Sequence, residues 1–161
     1  MTRQLCPPAV LALALAAATA MPAASETAPT EVVFADGAVE VSLSGTPGNP
    51  EEGVKVMTTA ALGNCVACHQ IAALPDVQFP GDIGPALDGA ADRWTEAELR
   101  GIVTNAKMTF EGSFMPAFYK TEGFVRPGDG YTGKAPEAAL PPILTAQQIE
   151  DVVAYLLTLK E

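Results

Sequence analysis

The sequence predicts an all-α domain, and three observations predict it. Three segments carry helix-start signatures, apolar residues follow each at helical spacing, and the stretches between them are punctuated by Gly and Pro rather than by alternating strand patterns. With 161 residues the chain has the length of one domain. The first start is Asn49-Pro50-Glu51-Glu52, with Asn as N-cap, Pro at the first helical position and Glu three residues after the cap. Val54, Met57 and Ala61 should share the apolar face of this helix. Thr95-Glu96-Ala97-Glu98 is a capping box leading into Leu99, Ile102 and Val103. Thr145-Ala146-Gln147-Gln148 is another, opening a last helix with Ile149, Val152, Val153, Leu156 and Leu157 on one side.

Residues 1–24 stand apart from this domain. A single basic Arg3 precedes an apolar run from Ala9 to Ala18 and then small residues, the pattern of a secretory signal peptide. The run is shorter than the roughly 20 apolar residues that cross a bilayer, and Cys6 precedes it, which argues against a lipid anchor. The expected mature chain, from about residue 25, is exported to the periplasm. Without Arg3 the eight remaining Lys and Arg face 19 Asp and Glu, a net charge near −11. Nucleic acid is excluded as a partner by that balance, because backbone binding needs a basic surface. No further apolar run reaches spanning length.

Export leaves two cysteines, and both fall in Gly63-Asn64-Cys65-Val66-Ala67-Cys68-His69. Cys-x-x-Cys-His is the attachment pattern of haem c: two thiols each form a thioether with a porphyrin vinyl group, and the next residue sets an imidazole under the iron. His69 is the only histidine. Two Cys and one His fall short of the usual structural zinc sets, and no βαβ pattern precedes the motif as a thioredoxin-like site would require.

With a single histidine, bis-histidine ligation within the chain is impossible. Of the three mature methionines, Met57 sits on the first helix and reads as core, and Met108 is a weaker candidate. Met115 precedes Pro116, which forces it out of helical geometry, among Phe114, Phe118 and Tyr119, which would wall the iron on the distal side. Met115 is therefore the expected sixth ligand; an open sixth position, as in a haem enzyme or gas sensor, is the alternative. Asp82-Ile83-Gly84-Pro85-Ala86-Leu87 could supply a carbonyl to the Nδ1 proton of His69, or be a simple turn.

Two segments exceed what a minimal haem domain needs. Residues 25–48 contain a short apolar run, an Asp36-Gly37 turn signal and alternating Val39, Val41 and Leu43, which predict a small hairpin or an extended arm. Residues 121–142, rich in Gly and Pro, predict a long loop before the last helix. The expected division is a signal peptide at 1–24, an arm or hairpin at 25–48 and a haem domain at 49–161.

The segments 63–69, Ile-Gly-Pro-Ala-Leu at 83–87, Phe-Met-Pro-Ala-Phe-Tyr at 114–119 and Ile-Leu-Thr-Ala-Gln-Gln-Ile-Glu-Asp-Val-Val-Ala-Tyr-Leu-Leu at 143–157 resemble the SoxX family, the small cytochrome subunits of SoxAX complexes in bacterial sulfur oxidation. The resemblance implies a class I cytochrome c fold, one haem c bound through Cys65 and Cys68, His69 and Met115 as axial ligands, and the Pro85 carbonyl orienting His69. It further implies a heterodimer with a SoxA-type cytochrome. Such a complex, an L-cysteine S-thiosulfotransferase, joins thiosulfate to a cysteine of a SoxYZ-type carrier protein and passes electrons to a downstream cytochrome. The sulfur chemistry would then lie on the partner subunit. With both mature cysteines used as thioethers and no spare histidine, the chain itself has neither a thiolate nucleophile nor an imidazole base. A free-standing electron carrier is the other reading; it would need the same haem site but neither the arm nor the long loop.

Overall fold

The computed structural model describes residues 25–128 and 132–161; the expected signal peptide at 1–24 lies outside them. Among the described residues the regular structure is helical: α1 (Pro50–Thr58), α2 (Ala90–Arg93), α3 (Glu96–Asn105) and α4 (Ala146–Leu156), with 3-10 turns at Pro29–Glu31, Cys65–Ala67 and Ala106–Met108.

Each long helix starts where its cap demands. The Asn49 side chain accepts from the amides of Glu51 and Glu52 ahead of α1. Thr95 with Glu98 and Thr145 with Gln148 form complete capping boxes on α3 and α4, satisfying amides that the first helical turn leaves without intrahelical partners. The first helix is shorter than its apolar spacing implied. It ends at Thr58, so Ala61 lies beyond it and is exposed, while Gly53, Val56 and Met57 form the buried side. In α3, Leu99 and Val103 are buried and Ile102 is half-buried; in α4, Ile149, Val152, Val153 and Leu156 are buried and Leu157 is half-buried.

The core forms where α1 crosses α4, with α3 also packed on α4. Two glycines allow the crossing. A Cβ on Gly53 would stand 2.1 Å from the Asp151 carbonyl oxygen, and one on Gly48 would stand 2.1 Å from that of Glu150. Burying the leucine, isoleucine and valine side chains of this cluster is worth roughly 1.5–3 kcal/mol each, against an ordering cost of similar total size.

Of the two forms expected for residues 25–48, a hairpin or an extended arm, no two-stranded ribbon is present. Asp36 and Gly37 take positive φ values of 50° and 86°, as a tight turn requires, but the flanking residues make only the isolated Ala35–Ala38 bridge. Beyond it the backbone bonds to the helical domain instead: the Val39 amide donates to the Ala97 carbonyl, and the Leu43 amide to the Glu150 carboxylate at 2.7 Å. Val39 and Leu43 are thereby sunk into the core. Two strands alone are marginal in water, and a helical surface offers more apolar contact than the second strand would.

A buried ion pair holds that junction. Arg100 and Glu150, each 4% exposed, pair through Nε at 3.0 Å; Arg100 also donates to the Val39 carbonyl at 2.9 Å and to Glu96. The described parts of the 121–142 segment contain no helix or strand.

Candidate haem site

The chain leaves α1, turns back so that the amides of Gly63 and Asn64 both reach the Val56 carbonyl, and enters the Cys65–Ala67 turn. Asn64 sits in the left-handed region at φ 47°, a conformation Asn tolerates better than most side chains. The Ala67 amide then bonds the Asn64 carbonyl, while the amides of Cys68 and His69 both bond the Cys65 carbonyl at 3.0 and 2.9 Å. Cys65, Cys68 and His69 are thus displayed from one tight turn. Burial pushes the unattached Cys65 thiol up to about 11, with the neighbouring Cys68 adding to the rise and a backbone hydrogen bond opposing it.

His69 is fixed by the loop that follows. Its Nδ1 lies 2.7 Å from the Pro85 carbonyl oxygen. A carbonyl only accepts, so Nδ1 carries a proton, and in the neutral ring the lone pair is on Nε2. The loop approaches because Gly84 lacks a side chain: a Cβ there would stand 2.3 Å from Cε1 and 2.6 Å from Nδ1 of the ring. Backbone bonds tie the loop to the haem-motif turn, from Gly81 to Val66, from Gly84 to Cys68 and from Leu87 to Gln70. Asp88 completes the join by accepting from the Ala72 amide.

Of the methionines, Met57 is fully buried in the α1–α4 core and Met108 is 51% exposed. Met115 is half-buried and packs against the same apolar cluster that Cys65 touches. The loop carrying it is anchored downstream, where the Tyr119 amide bonds the Thr104 carbonyl and the Phe118 carbonyl accepts from Leu144. Phe118 and Tyr119 are buried, but Phe114 is 96% exposed and does not wall the site within this chain; its neighbours Ser113 and Met115 are half-buried, and the Met115 amide donates to the Ser113 hydroxyl.

This donor set fits a haem. Two thiols flank a two-residue gap, the adjacent imidazole offers one free nitrogen, and a thioether is half-buried on the shared core. A bare metal ion has no equivalent place, since no group of three or more His, Cys, Asp or Glu among the described residues could hold one. Sequence reasoning missed Gly84 as the residue that admits the loop to the ring. It also missed Arg100 and Glu150; a charge between the apolar Leu99 and Val103, on the buried side of the helix, was the available signal.

The family model for cytochrome c matches residues 50–160. No curated protein sequence matches the chain. Among solved structures, the chain is 77% identical to a chain in the crystal structure of SoxXA from P. pantotrophus, with a TM-score of 0.81, across 85% of this chain and 100% of that one. No helix among the described residues is long and apolar enough to cross a membrane. The cytochrome c match and the Cys-x-x-Cys-His turn give one covalently bound haem c, and the identity over nearly the whole described chain gives the branch: the chain belongs to the SoxX family of cytochromes c, the haem-bearing electron-transfer subunits of thiosulfate-oxidising complexes.

Proposed function

We propose that this chain is the electron-relay subunit of a periplasmic L-cysteine S-thiosulfotransferase, paired with a SoxA-type cytochrome. The relay reading rests on one observation above all. The chain's only histidine is committed through Nδ1 to the Pro85 carbonyl, which leaves Nε2 as its free donor beside the two thiols. Cys65 and Cys68 would hold the haem as thioethers, and His69 and Met115 are the side chains that would ligate its iron. When bound, haem c would supply a one-electron redox centre, whose potential is raised by having methionine and histidine as its protein ligands.

The reaction of the complex releases two electrons: thiosulfate and a carrier thiol give the S-thiosulfonate conjugate, one proton and two electrons. Forming that sulfur–sulfur bond needs a reactive thiolate or persulfide. This chain spends both of its mature cysteines on attachment, so the bond is made on the partner subunit and this chain takes the electrons one at a time. Their destination is a downstream cytochrome. The segment at 121–142 and the exposed residues of the arm at 25–48 are the regions we assign to partner contact: the core includes no residue of the first, and takes Val39 and Leu43 from the second. The solved relative is part of SoxXA, which supports the SoxA-type partner.

The test is purification of the tagged holoprotein from its native periplasm in mild salt, with mass analysis of what accompanies it and a haem-reduction assay. A stoichiometric second cytochrome is expected, with reduction requiring thiosulfate and the carrier protein together. A lone haem protein that exchanges electrons only with other cytochromes would make it a free carrier instead.

A further inference from the structure

We propose that Lys107 is a positioning residue for the axial methionine: its ammonium clamps the Met115 carbonyl and keeps the ligand loop closed. The proposal rests on the reading of Met115 as the sixth ligand.

Lys107 lies in the Ala106–Met108 turn directly after α3, and its Nζ donates to the Met115 carbonyl at 2.6 Å. Met115 has no partner from a helix or sheet ladder. Its amide is taken by the Ser113 hydroxyl at 3.2 Å, its carbonyl by Lys107, and the next residue, Pro116, has no amide to offer. Downstream the loop is held at Phe118 and Tyr119. On the upstream side the Lys107 and Ser113 contacts are the ones that touch Met115's own peptide groups.

The use of the charge is informative. In a chain with 19 Asp and Glu, an exposed lysine has many carboxylates available, yet Lys107 forms none of the described salt bridges. Its base is fixed as well, since its own amide bonds the Asn105 side chain that caps the turn. A four-carbon stem rooted in the turn that follows α3 thus ties that turn to a loop that lacks helix or strand structure. A hydrogen bond from a charged donor is stronger than a neutral one, so its loss should populate loop-open states in which the iron can take another ligand.

The experiment uses the holoprotein and imidazole at pH about 8.5, where the probe is neutral and its approach insensitive to the removed charge. Imidazole binding to the ferric protein is timed in wild type, Lys107→Ala, Lys107→Arg, Ser113→Ala and Met115→Ala, alongside the methionine–iron charge-transfer absorption. Lys107→Ala should bind about tenfold faster than wild type, with the absorption band weakened but present. Lys107→Arg should restore the slow rate, because its guanidinium can make the same bond. Lys107→Ala at the wild-type rate, or Lys107→Arg as fast as Lys107→Ala, overturns the clamp. Failure of the underlying reading looks different: Met115→Ala would then keep both the wild-type rate and the absorption band.

Discussion

The Nδ1–H of His69 donates to the carbonyl of Pro85 across 2.7 Å, and the residue before that proline, Gly84, lies flat against the imidazole. One loop therefore does two things to one ring. The bond selects the tautomer, and the packing sets the ring plane, so Nε2 is presented in a single direction. Groups behind a metal ligand tune it in this way, by holding its orientation and raising its basicity.

Gly84→Ala should disturb both at once. The added carbon would stand 2.3 Å from Cε1 of His69, so either the ring tilts or the loop retreats and the Pro85 bond lengthens. Loss of such an outer contact typically costs tenfold or more in ligand affinity. The expected result is a lower yield of holoprotein and a shifted reduction potential, measured by haem absorbance per protein and by potentiometry. A variant with wild-type yield and potential would show that the loop does not constrain the ring.

Met115→Ala should leave the haem covalently attached while lowering its potential and admitting exogenous ligands on mixing. Met108→Ala should do neither, since that side chain is 51% exposed. Absorption spectra with and without cyanide compare the two. A ligand-resistant Met115→Ala protein would remove Met115 from the site.

Arg100→Met should destabilise the fold by about 3 kcal/mol, because it leaves the Glu150 carboxylate buried without its counter-charge. Leu43 still donates to Glu150, but a single amide does not replace a guanidinium. The second expected effect is local: Val39 loses the bond to Arg100, so amide exchange in residues 38–43 should quicken more than in α4. Pairing the change with Glu150→Leu should recover part of the loss in urea titrations; if the double variant is as unstable as the single one, the penalty does not come from the unpaired charge.

Stability should fall at alkaline pH through Tyr119. Its phenol is pushed up to about 12, first by burial and then by the hydrogen bond and negative charge of Glu26. The unfolded chain loses that proton near the ordinary value of 10.0. The folded state thus keeps its proton longer, and the stabilisation present below pH 10 drains away as pH rises toward 12. Melting temperatures of wild type and Tyr119→Phe across this range should converge upward: the variant loses less between the two values. Parallel curves would exclude Tyr119 as the source.

What could be read along the chain was whatever depends on neighbours a few residues apart. The three N-cap side chains accept from backbone amides two or three positions on, so Asn49, Thr95 and Thr145 announce their helices without knowledge of the fold. The haem motif is legible for the same reason, because attachment needs two thiols and an imidazole at fixed spacing. Residues 32–43 illustrate the limit. Their alternation and Asp36-Gly37 turn encode a bend, but whether the strands pair with each other or with a helix depends on what surface stands nearby. Here Ala97 and Glu150 take the amides of Val39 and Leu43, and the ribbon is not made. Likewise, Arg100 finds Glu150 50 residues further on, and Gly84 gains its meaning from a ring 15 residues back, which it touches only after the loop has closed. Short-range hydrogen bonding and covalent chemistry are written locally. The buried ion pair and the arm's docking arise from surfaces that meet only when α1, α3 and α4 have packed, so the tertiary structure alone decided them.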